Sequence, residues 1–326
     1  MIKCKNLSEN QLKKTEAIMF LLVSSLLVFG GMISIKTIFP NAFHDNNQIL
    51  VTENNTKENI FEEPSITAKS AVVYDINSDT FIYKKDSETS RPIASITKVV
   101  SALVSADYLV DGDKIKISKE AISQSDDNGL LLDEIWSFKK LLDFSLMVSS
   151  NDGAYAIANI VGSFSKHKLE NEGSENNSVD IFVQKMNQKV STLGLSNTYF
   201  NNPSGLDVDS IESGGYSNAE EIAKLFAYTI KNNPRLLEAT SKQEEMFVSD
   251  NNISHDAKNT NGAFASIPSL LASKTGYTEL AGGNLAIIYD VGVNNPVVVV
   301  VLGSGYNERF DDVRYLVETT NNYFAI

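Results

Sequence analysis

The stretch Arg91-Pro92-Ile93-Ala94-Ser95-Ile96-Thr97-Lys98 leads into apolar residues spaced as on one face of a helix, namely Ile96, Val99, Val100, Leu103 and Ala106. We expect a helix to begin at Ser95 after the proline turn and to end at Asp111-Gly112. Ser95 and Lys98 then leave the same helix face. This arrangement is typical of a nucleophile with its base, because a desolvated or cation-crowded lysine stays neutral and accepts the serine proton.

The Ser-x-x-Lys pattern by itself is weak, since it also occurs at residues 137–140, 163–166 and 165–168. Those three copies stand among polar residues, which favour solvated helix ends or loops. Only the Ser95 copy follows a proline turn and opens an apolar stripe. Context therefore selects Ser95 as the candidate nucleophile.

Composition excludes several classes of protein. The chain has 326 residues and a formal net charge of -13, which argues against nucleic acid as a partner. The single cysteine, Cys4, excludes an internal disulfide, and the three scattered histidines (His44, His167 and His255) give no metal cluster. We therefore expect no metal and no cofactor.

The N-terminal region predicts a membrane anchor. Residues 1–16 are polar and contain four lysines, and residues 17–35 then carry no charge. An uncharged run of about 20 residues can cross a bilayer, and lysines before it favour a cytoplasmic N-terminus. We predict a cytoplasmic segment (1–16), a transmembrane helix (17–36), a flexible linker (37–65) and an extracytoplasmic catalytic domain (66–326). The alternatives are a cleaved signal peptide and a buried soluble helix.

The remaining pattern predicts an α+β domain. Strands are expected at residues 70–75 and 81–84 and again at 270–277, 284–290 and 296–302, with helices between the two groups and a closing helix at 310–323. This order favours a mainly antiparallel five-stranded sheet flanked by helices.

The middle of the chain is expected to be mostly helical over residues 113–193. It contains an apolar helix at 154–161 and a second helix at 181–193 that Gly194 closes, with an exposed polar loop at 165–179. A further helix should start at a capping box formed by Ser217 and Glu220.

Lys274-Thr275-Gly276 is the only Lys-Thr-Gly in the chain. On a strand, a cation and a hydroxyl can grip an anion, and the glycine leaves room for a substrate backbone. The alternative is an edge strand with a surface lysine.

Ser149-Ser150-Asn151 precedes an apolar helix. Here a hydroxyl can relay a proton and an amide can orient Lys98 or a substrate peptide. The alternative is a simple N-cap. Three rival spellings, at residues 8–10, 174–176 and 249–251, lie in less suitable surroundings.

The ordered set Ser-x-x-Lys, Ser-x-Asn, Lys-Thr-Gly resembles the signature of penicillin-binding proteins and class A β-lactamases. Several stretches are more similar to the low-molecular-mass D-alanyl-D-alanine carboxypeptidases: residues 91–98, 147–152, 182–187, 193–198, 200–207 and 274–278. The resemblance covers about residues 66–326. It implies a β-lactamase/transpeptidase-like fold with a helical subdomain.

The resemblance also implies roles for particular residues. Ser95 would be the acylated nucleophile and Lys98 its base, with Ser149 and Asn151 as the relay and orienting pair. The remaining residues would bind substrate. Lys274 and Thr275 would hold the terminal carboxylate, with Arg309 as a further carboxylate partner, and Gly276 would leave room for the substrate backbone. The N–H groups of Ser95 and Tyr277 would form the oxyanion hole.

The implied reaction removes the terminal D-Ala from peptidoglycan stem peptides, with β-lactam antibiotics as covalent inhibitors. Two departures, Ser-Ser-Asn in place of Ser-Gly-Asn and the polar stretch at 165–179, put substrate preference in doubt. The alternatives are a D,D-endopeptidase that uses the same residues and a catalytically silent, membrane-tethered wall-binding protein. A class A β-lactamase is disfavoured because no Glu-x-x-Leu-Asn occurs between Asn151 and Lys274.

Overall fold

The computed structural model describes residues 65–126, 129–169 and 177–325, which belong to one compact unit, Lys57–Ile326. The transmembrane helix expected at 17–36 and nearly all of the expected linker lie outside these residues. Within the described ranges, no helix is long and apolar enough to cross a membrane.

A five-stranded antiparallel sheet occupies the centre of the unit. Its strands are β1 (Ser70–Asp75), β2 (Thr80–Lys85), β10 (Leu270–Thr278), β11 (Gly282–Asp290) and β12 (Pro296–Ser304), in the spatial order β10-β11-β12-β1-β2. Residues 297–302 of β12 are fully buried because both faces of this strand are covered. The prediction of two early and three late strands is confirmed.

Seven shorter strands in the described part of the chain form small sheets around the large one. They are β3 (Arg91–Pro92), β4 (Lys114–Lys116), β5 (Ile135–Ser137), β6 (Tyr199–Phe200), β7 (Gly215–Ser217), β8 (Glu244–Val248) and β9 (Ser254–Lys258). β3 pairs with β7 and β7 with β6, while β4–β5 and β8–β9 are separate antiparallel pairs.

Six α-helices lie in the described residues: α1 (Lys98–Ala106), α2 (Phe138–Val148), α3 (Asn151–Leu169), α4 (Ser178–Thr192), α5 (Ala219–Asn232) and α6 (Glu308–Ala325). A 3-10 turn, Ala94–Thr97, precedes α1 and carries Ser95. The sequence pattern predicted a helix opening at Ser95, and the structure instead places the nucleophile candidate on this tighter turn.

The sheet separates two hydrophobic cores, because alternate strand side chains point to opposite faces. Val72, Val298 and Val300 pack with side chains of α1–α5 on one face. Val73, Val299 and Val301 pack with Leu316 and Val317 of α6 on the other. This unit is therefore three-layered, with the helical subdomain on the side that carries Ser95.

The expected end of the first helix was wrong. Helix α1 ends at Ala106, five residues before Asp111. The N–H groups of Asp107 and Tyr108 bond back to the carbonyls of Val104 and Ser105, so a tight turn replaces the helix there. Beyond it, the carboxylate of Asp113 accepts from the N–H of Val110 at 2.8 Å.

The expected helical stretch from 113 to 193 was also partly wrong, because it contains the β4–β5 hairpin. Each strand has only three residues, too few to show a period.

The loop expected at 165–179 was wrong at both ends, since α3 continues to Leu169 and α4 begins at Ser178. A Cβ at Gly162 would lie 1.7 Å from the carbonyl oxygen of Ser178, so the glycine lets the two helices meet closely.

The capping box at the start of α5 was misplaced by one residue. Asn218, and not Ser217, is the N-cap, and its Oδ1 accepts from the N–H of Glu221 at 2.8 Å. The hydroxyl of Ser217 is instead 2.7 Å from that of Thr198. Gly194 closes α4 as expected, with a φ of +75°.

Candidate active site

Ser95 and Lys98 meet at the junction of the 3-10 turn and α1. The Lys98 Nζ lies 2.7 Å from the half-buried Ser95 Oγ. The residue before the serine, Ala94, has a φ of +47°, and Ser149 has a φ of +65°. Such conformations cost free energy for residues other than glycine and cluster at functional sites.

Lys98 is buried among oxygen atoms and is 2% exposed. Besides Ser95, its Nζ contacts Asn151 Oδ1 at 2.7 Å and the carbonyl oxygen of Ser204 at 2.9 Å. Burial lowers the pKa of Lys98 well below its usual value, and the positive charge of Lys274 lowers it further. The charge of Asp126 acts in the opposite direction.

The three contacts of Lys98 fit a neutral amine. A neutral amine has two N–H donors and one lone pair, and the carbonyl of Ser204 can only accept. The Asn151 amide is oriented the same way, because its Nδ2 donates to the carbonyl of Ser125 at 2.8 Å and leaves Oδ1 facing Lys98. The lone pair is then left for the proton of Ser95.

Lys274 lies on β10, across the site from Lys98. Its Nζ donates to Ser149 Oγ at 2.8 Å and to the carbonyl of Thr275 at 2.9 Å. Burial, together with the charge of Arg309, lowers the pKa of Lys274 to about 7. Ser149 thus contacts the cationic side of the site, and Asn151, two residues later, contacts Lys98.

Strand β10 lies at an edge of the large sheet, so one row of its backbone groups faces away from β11. The N–H of Ser273 points outward, since it donates to Thr240 Oγ1 at 3.0 Å. Alternation along an antiparallel strand puts the backbone groups of Thr275 and Tyr277 on the same free edge. The Tyr277 N–H therefore points away from β11.

Gly276 has a different role from the one that its sequence position suggested. A Cβ at Gly276 would lie 2.7 Å from the carbonyl oxygen of Ile93 and 3.1 Å from the Ser95 nitrogen. The space beside the glycine is thus taken by the turn of Ser95, where we had expected a substrate backbone. Because Gly276 has no side chain, the turn that carries Ser95 can lie directly against β10.

Arg309, on α6, is 5% exposed. Its guanidinium lies 4.5 Å from the ring centre of Tyr306 and 4.7 Å from that of Phe310, and its Nη1 donates to the Gly276 carbonyl at 3.4 Å. The Arg309 Nε has no hydrogen-bond partner among the described residues. Burial lowers its pKa.

All nine residues chosen from the sequence lie on or next to this site, and their arrangement combines a serine, a buried amine and a cation on an edge strand. A profile of the D-alanyl-D-alanine carboxypeptidase family matches residues 57–305. The chain belongs to this family. It is accordingly a serine-peptidase-type hydrolase, as the motifs predicted.

Individual members of the carboxypeptidase family agree with this assignment. The D-alanyl-D-alanine carboxypeptidase DacB2 of Mycobacterium tuberculosis is 30% identical over 67% of this chain and 69% of its own length. The D-alanyl-D-alanine endopeptidase of Escherichia coli is 29% identical over 78% of this chain and 77% of its own.

Solved structures of the carboxypeptidase family and of related penicillin-binding proteins confirm the fold. A crystal structure of a D-alanyl-D-alanine carboxypeptidase from M. tuberculosis gives a TM-score of 0.68 at 26% identity, covering 81% of this chain and 93% of the other. A cefotaxime-bound penicillin-binding protein of Listeria monocytogenes gives 0.63 at 26% identity, covering 78% and 97%.

Sequence reasoning missed two participants in this carboxypeptidase-type site. The first is the carbonyl of Ser204, which contacts Lys98; a backbone carbonyl has no letter of its own, although the surrounding Asn-Pro-Ser-Gly stretch carried part of the family resemblance. The second is Thr260, whose hydroxyl lies 2.6 Å from that of Thr275. Nothing in its polar neighbourhood distinguished it.

Proposed function

We propose that the chain is a serine-type D-alanyl-D-alanine carboxypeptidase that removes the terminal D-Ala from peptidoglycan stem peptides through an acyl-enzyme on Ser95. The observation that carries this proposal is the position of Lys98. It is a buried amine 2.7 Å from a serine hydroxyl, with its other two contacts to an amide oxygen and a carbonyl. Such an amine is prepared to accept a proton.

In acylation, the Ser95 Oγ forms a bond to the carbonyl carbon of the scissile peptide while its proton passes to Lys98 Nζ. The carbonyl oxygen becomes negative, and the N–H groups of Ser95 and Tyr277 stabilise it. In this proposal both N–H groups reach the same oxygen, because Gly276 lets the Ser95 turn lie against β10.

The carbon–nitrogen bond then breaks, and the amine of the leaving D-Ala takes up the proton that Lys98 received. Ser149 is well situated to relay it, since its hydroxyl contacts Lys274 and it lies two residues before Asn151, a partner of Lys98. Water next attacks the ester carbonyl carbon and gives a proton to Lys98, which again acts as the base. The bond between that carbon and Ser95 Oγ then breaks, and Lys98 returns the proton to Ser95 Oγ.

The terminal carboxylate of the substrate would bind at the cationic side of the site. Lys274 supplies charge and Thr275 supplies a hydroxyl, which Thr260 holds in place. Arg309 adds a second positive charge close enough to affect the pKa of Lys274. A carboxylate between them would restore the balance of charge in a buried environment.

β-Lactam antibiotics should acylate Ser95. Their strained amide lies about as far from a carboxylate as the scissile amide of a D-Ala-D-Ala peptide lies from its terminal carboxylate. Penicillin-binding protein structures with this fold contain cefotaxime and ampicillin, which supports the proposal.

A second candidate is D,D-endopeptidase activity on peptidoglycan cross-links. Three relatives are named D-alanyl-D-alanine endopeptidases, with identities of 26–29%. Both reactions break an amide on the carbonyl side of D-Ala and differ only in the leaving amine. Comparison of D-Ala release from a stem pentapeptide with cleavage of a purified cross-linked dimer decides between them.

We also propose that residues 17–36 anchor the protein in the cell membrane, with the N-terminus in the cytoplasm and the catalytic domain outside. The uncharged run at residues 17–35 and the lysines before it support this orientation. Recovery of the full chain from membranes by detergent but not by salt would agree with it. Release by salt alone would contradict it.

The test of the catalytic proposal uses the full chain with a fluorescent penicillin and, separately, a peptide ending in D-Ala-D-Ala. We expect labelling and D-Ala release by the unmodified protein, and loss of both in Ser95→Ala and Lys98→Ala. Lys224→Ala is the matched control, because Lys224 is an exposed lysine on α5. Absence of label and release from a folded, unmodified chain would favour the silent wall-binding alternative.

A further inference from the structure

A loop at residues 201–207 contacts α1, on which Lys98 lies. The carbonyl of Pro203 accepts from Ser101 Oγ at 2.6 Å, and the carbonyl of Ser204 contacts Lys98 Nζ at 2.9 Å. Both carbonyls therefore bind α1. Gly205 has a φ of +84°, and a Cβ there would lie 2.0 Å from the Ala94 carbonyl, so the loop also lies against the turn of Ser95.

The loop is held in shape from within. The side chain of Asn202 accepts from the Gly205 N–H at 2.7 Å and donates to the Leu206 carbonyl at 2.8 Å. These bonds join residues 202 to 206, the part of the loop that includes the Ser204 carbonyl.

The far end of the loop is attached to β10 by Asp207. Its Oδ1 accepts from Thr278 Oγ1 at 2.9 Å, and its Oδ2 accepts from the Leu280 N–H at 3.2 Å. Thr278 Oγ1 in turn accepts from the Ala281 N–H at 3.2 Å. The carboxylate thus fixes the turn that directly follows Tyr277.

We propose that Asp207 is a positioning residue for acylation, which holds the Tyr277 end of β10 at a fixed distance from the Ser204 carbonyl and hence from Lys98. The inference rests on the proposed function, because it assumes that Lys98 is the base and that the Tyr277 N–H binds the oxyanion. Asp207 itself touches neither reacting atom, and it acts through Thr278 and the 201–207 loop.

The proposal has a kinetic consequence. The base and the oxyanion donors must be in place together when the tetrahedral intermediate forms, and a displacement of about 1 Å can cost about 100-fold in rate. Binding of the inhibitor before reaction depends less on this distance. Loss of the Asp207 contacts should therefore lower the acylation rate constant and leave the dissociation constant of the initial complex nearly unchanged.

The test measures both constants by stopped-flow acylation of the full chain with a fluorescent penicillin. In Asp207→Asn, one of the two acceptor oxygens becomes a donor, so the side chain no longer offers a separate acceptor to both Thr278 Oγ1 and the Leu280 N–H. Thr278→Val removes the hydroxyl with little change of shape. We expect each variant to acylate about 10- to 100-fold more slowly, with a dissociation constant changed by no more than about twofold.

Asp209→Asn is the matched control. Asp209 follows the loop by two residues and its Oδ1 accepts from the N–H groups of Ile211 and Glu212, so it makes comparable local bonds that do not reach β10. We expect its acylation rate to equal that of the unmodified protein. Equal rates in Asp207→Asn and Asp209→Asn would overturn the inference.

The double variant Asp207→Asn/Thr278→Val adds a second criterion. If the two residues act as one connection, the combined loss should be clearly smaller than the product of the single losses. Fully multiplicative losses would overturn the assignment. Should Asp207→Asn fail to fold, Thr278→Val alone carries the test. Failure of the unmodified protein to acylate would instead contradict the proposed function, so the two failures are distinguishable.

Discussion

At the scale of single residues, Lys98 and Lys274 need opposite protonation states for the proposed reaction. Lys98 must be neutral to accept the Ser95 proton, and its burial lowers its pKa. Lys274 must be charged to bind a carboxylate, and its pKa is lowered to about 7. A positive charge on either lysine disfavours protonation of the other, so a proton on Lys274 helps to keep Lys98 neutral.

We predict a bell-shaped dependence of kcat/KM on pH. Activity should rise with pH as Lys98 loses its proton and fall near pH 7 as Lys274 loses its own. The fall should move to higher pH in kcat, because a bound carboxylate favours the charged form of Lys274. The measurement is D-Ala release from a peptide at a series of pH values.

Lys274→Arg provides the control for this assignment. A guanidinium stays charged across the range, so any residual activity should show no fall near pH 7. A fall that persists unchanged in the arginine variant would mean that another group titrates there.

The sequence could predict a site residue only where its own side chain takes part in the proposed reaction as a member of a recognisable motif. Ser95, Lys98, Ser149, Asn151 and Lys274 were recognisable because their three motifs occur in one order along the chain and stand in surroundings that the rival copies lack. The Ser204 carbonyl and the Thr260 hydroxyl were not, since their importance arises from contacts with residues that are distant in sequence.

At the scale of elements, strongly periodic segments were predicted well and their ends were not. The five strands of the large sheet and the closing helix appear where the pattern put them. The end of α1 is set by a local turn at Asp107, and α3 continues past the expected start of the loop after packing closely against Ser178 at Gly162. Neither packing nor a tight turn changes the apolar period from which the ends were inferred.

The contact between β10 and the 3-10 turn leads to a prediction at this scale. Gly276→Ala should push the Ser95 turn away from β10, because the new Cβ would lie 2.7 Å from the Ile93 carbonyl oxygen. We expect acylation by penicillin to slow by about 100-fold, since the two oxyanion donors would separate. Labelling rates and the melting temperature measure the effect.

Gly112→Ala is the control for Gly276→Ala, because a Cβ at Gly112 has nothing within 4 Å. It should label at the normal rate. Normal labelling by Gly276→Ala as well would show that the close approach of the turn to β10 is not needed for acylation.

At the scale of the whole molecule, the α6 layer holds the start of the described chain in place. The Asp312 carboxylate is 3% exposed and accepts from the N–H groups of Thr67 and Ala68, both at 2.8 Å. It also accepts from the hydroxyls of Thr67 and Ser304, at 3.0 and 2.6 Å. One side chain therefore joins α6, β12 and the segment that leads into β1.

Asp312→Ala should lower the free energy of unfolding by about 3 kcal/mol or more, because it leaves several buried donors without an acceptor. Urea unfolding of the full chain measures this loss. Asp311→Ala is the matched control: the neighbouring carboxylate is exposed and pairs with Arg314, and exposed ion pairs contribute about 0–1 kcal/mol. Equal small losses in both variants would mean that water can replace the Asp312 contacts. The α6 layer would then be held to the sheet by its apolar core alone, through residues such as Val313 and Leu316.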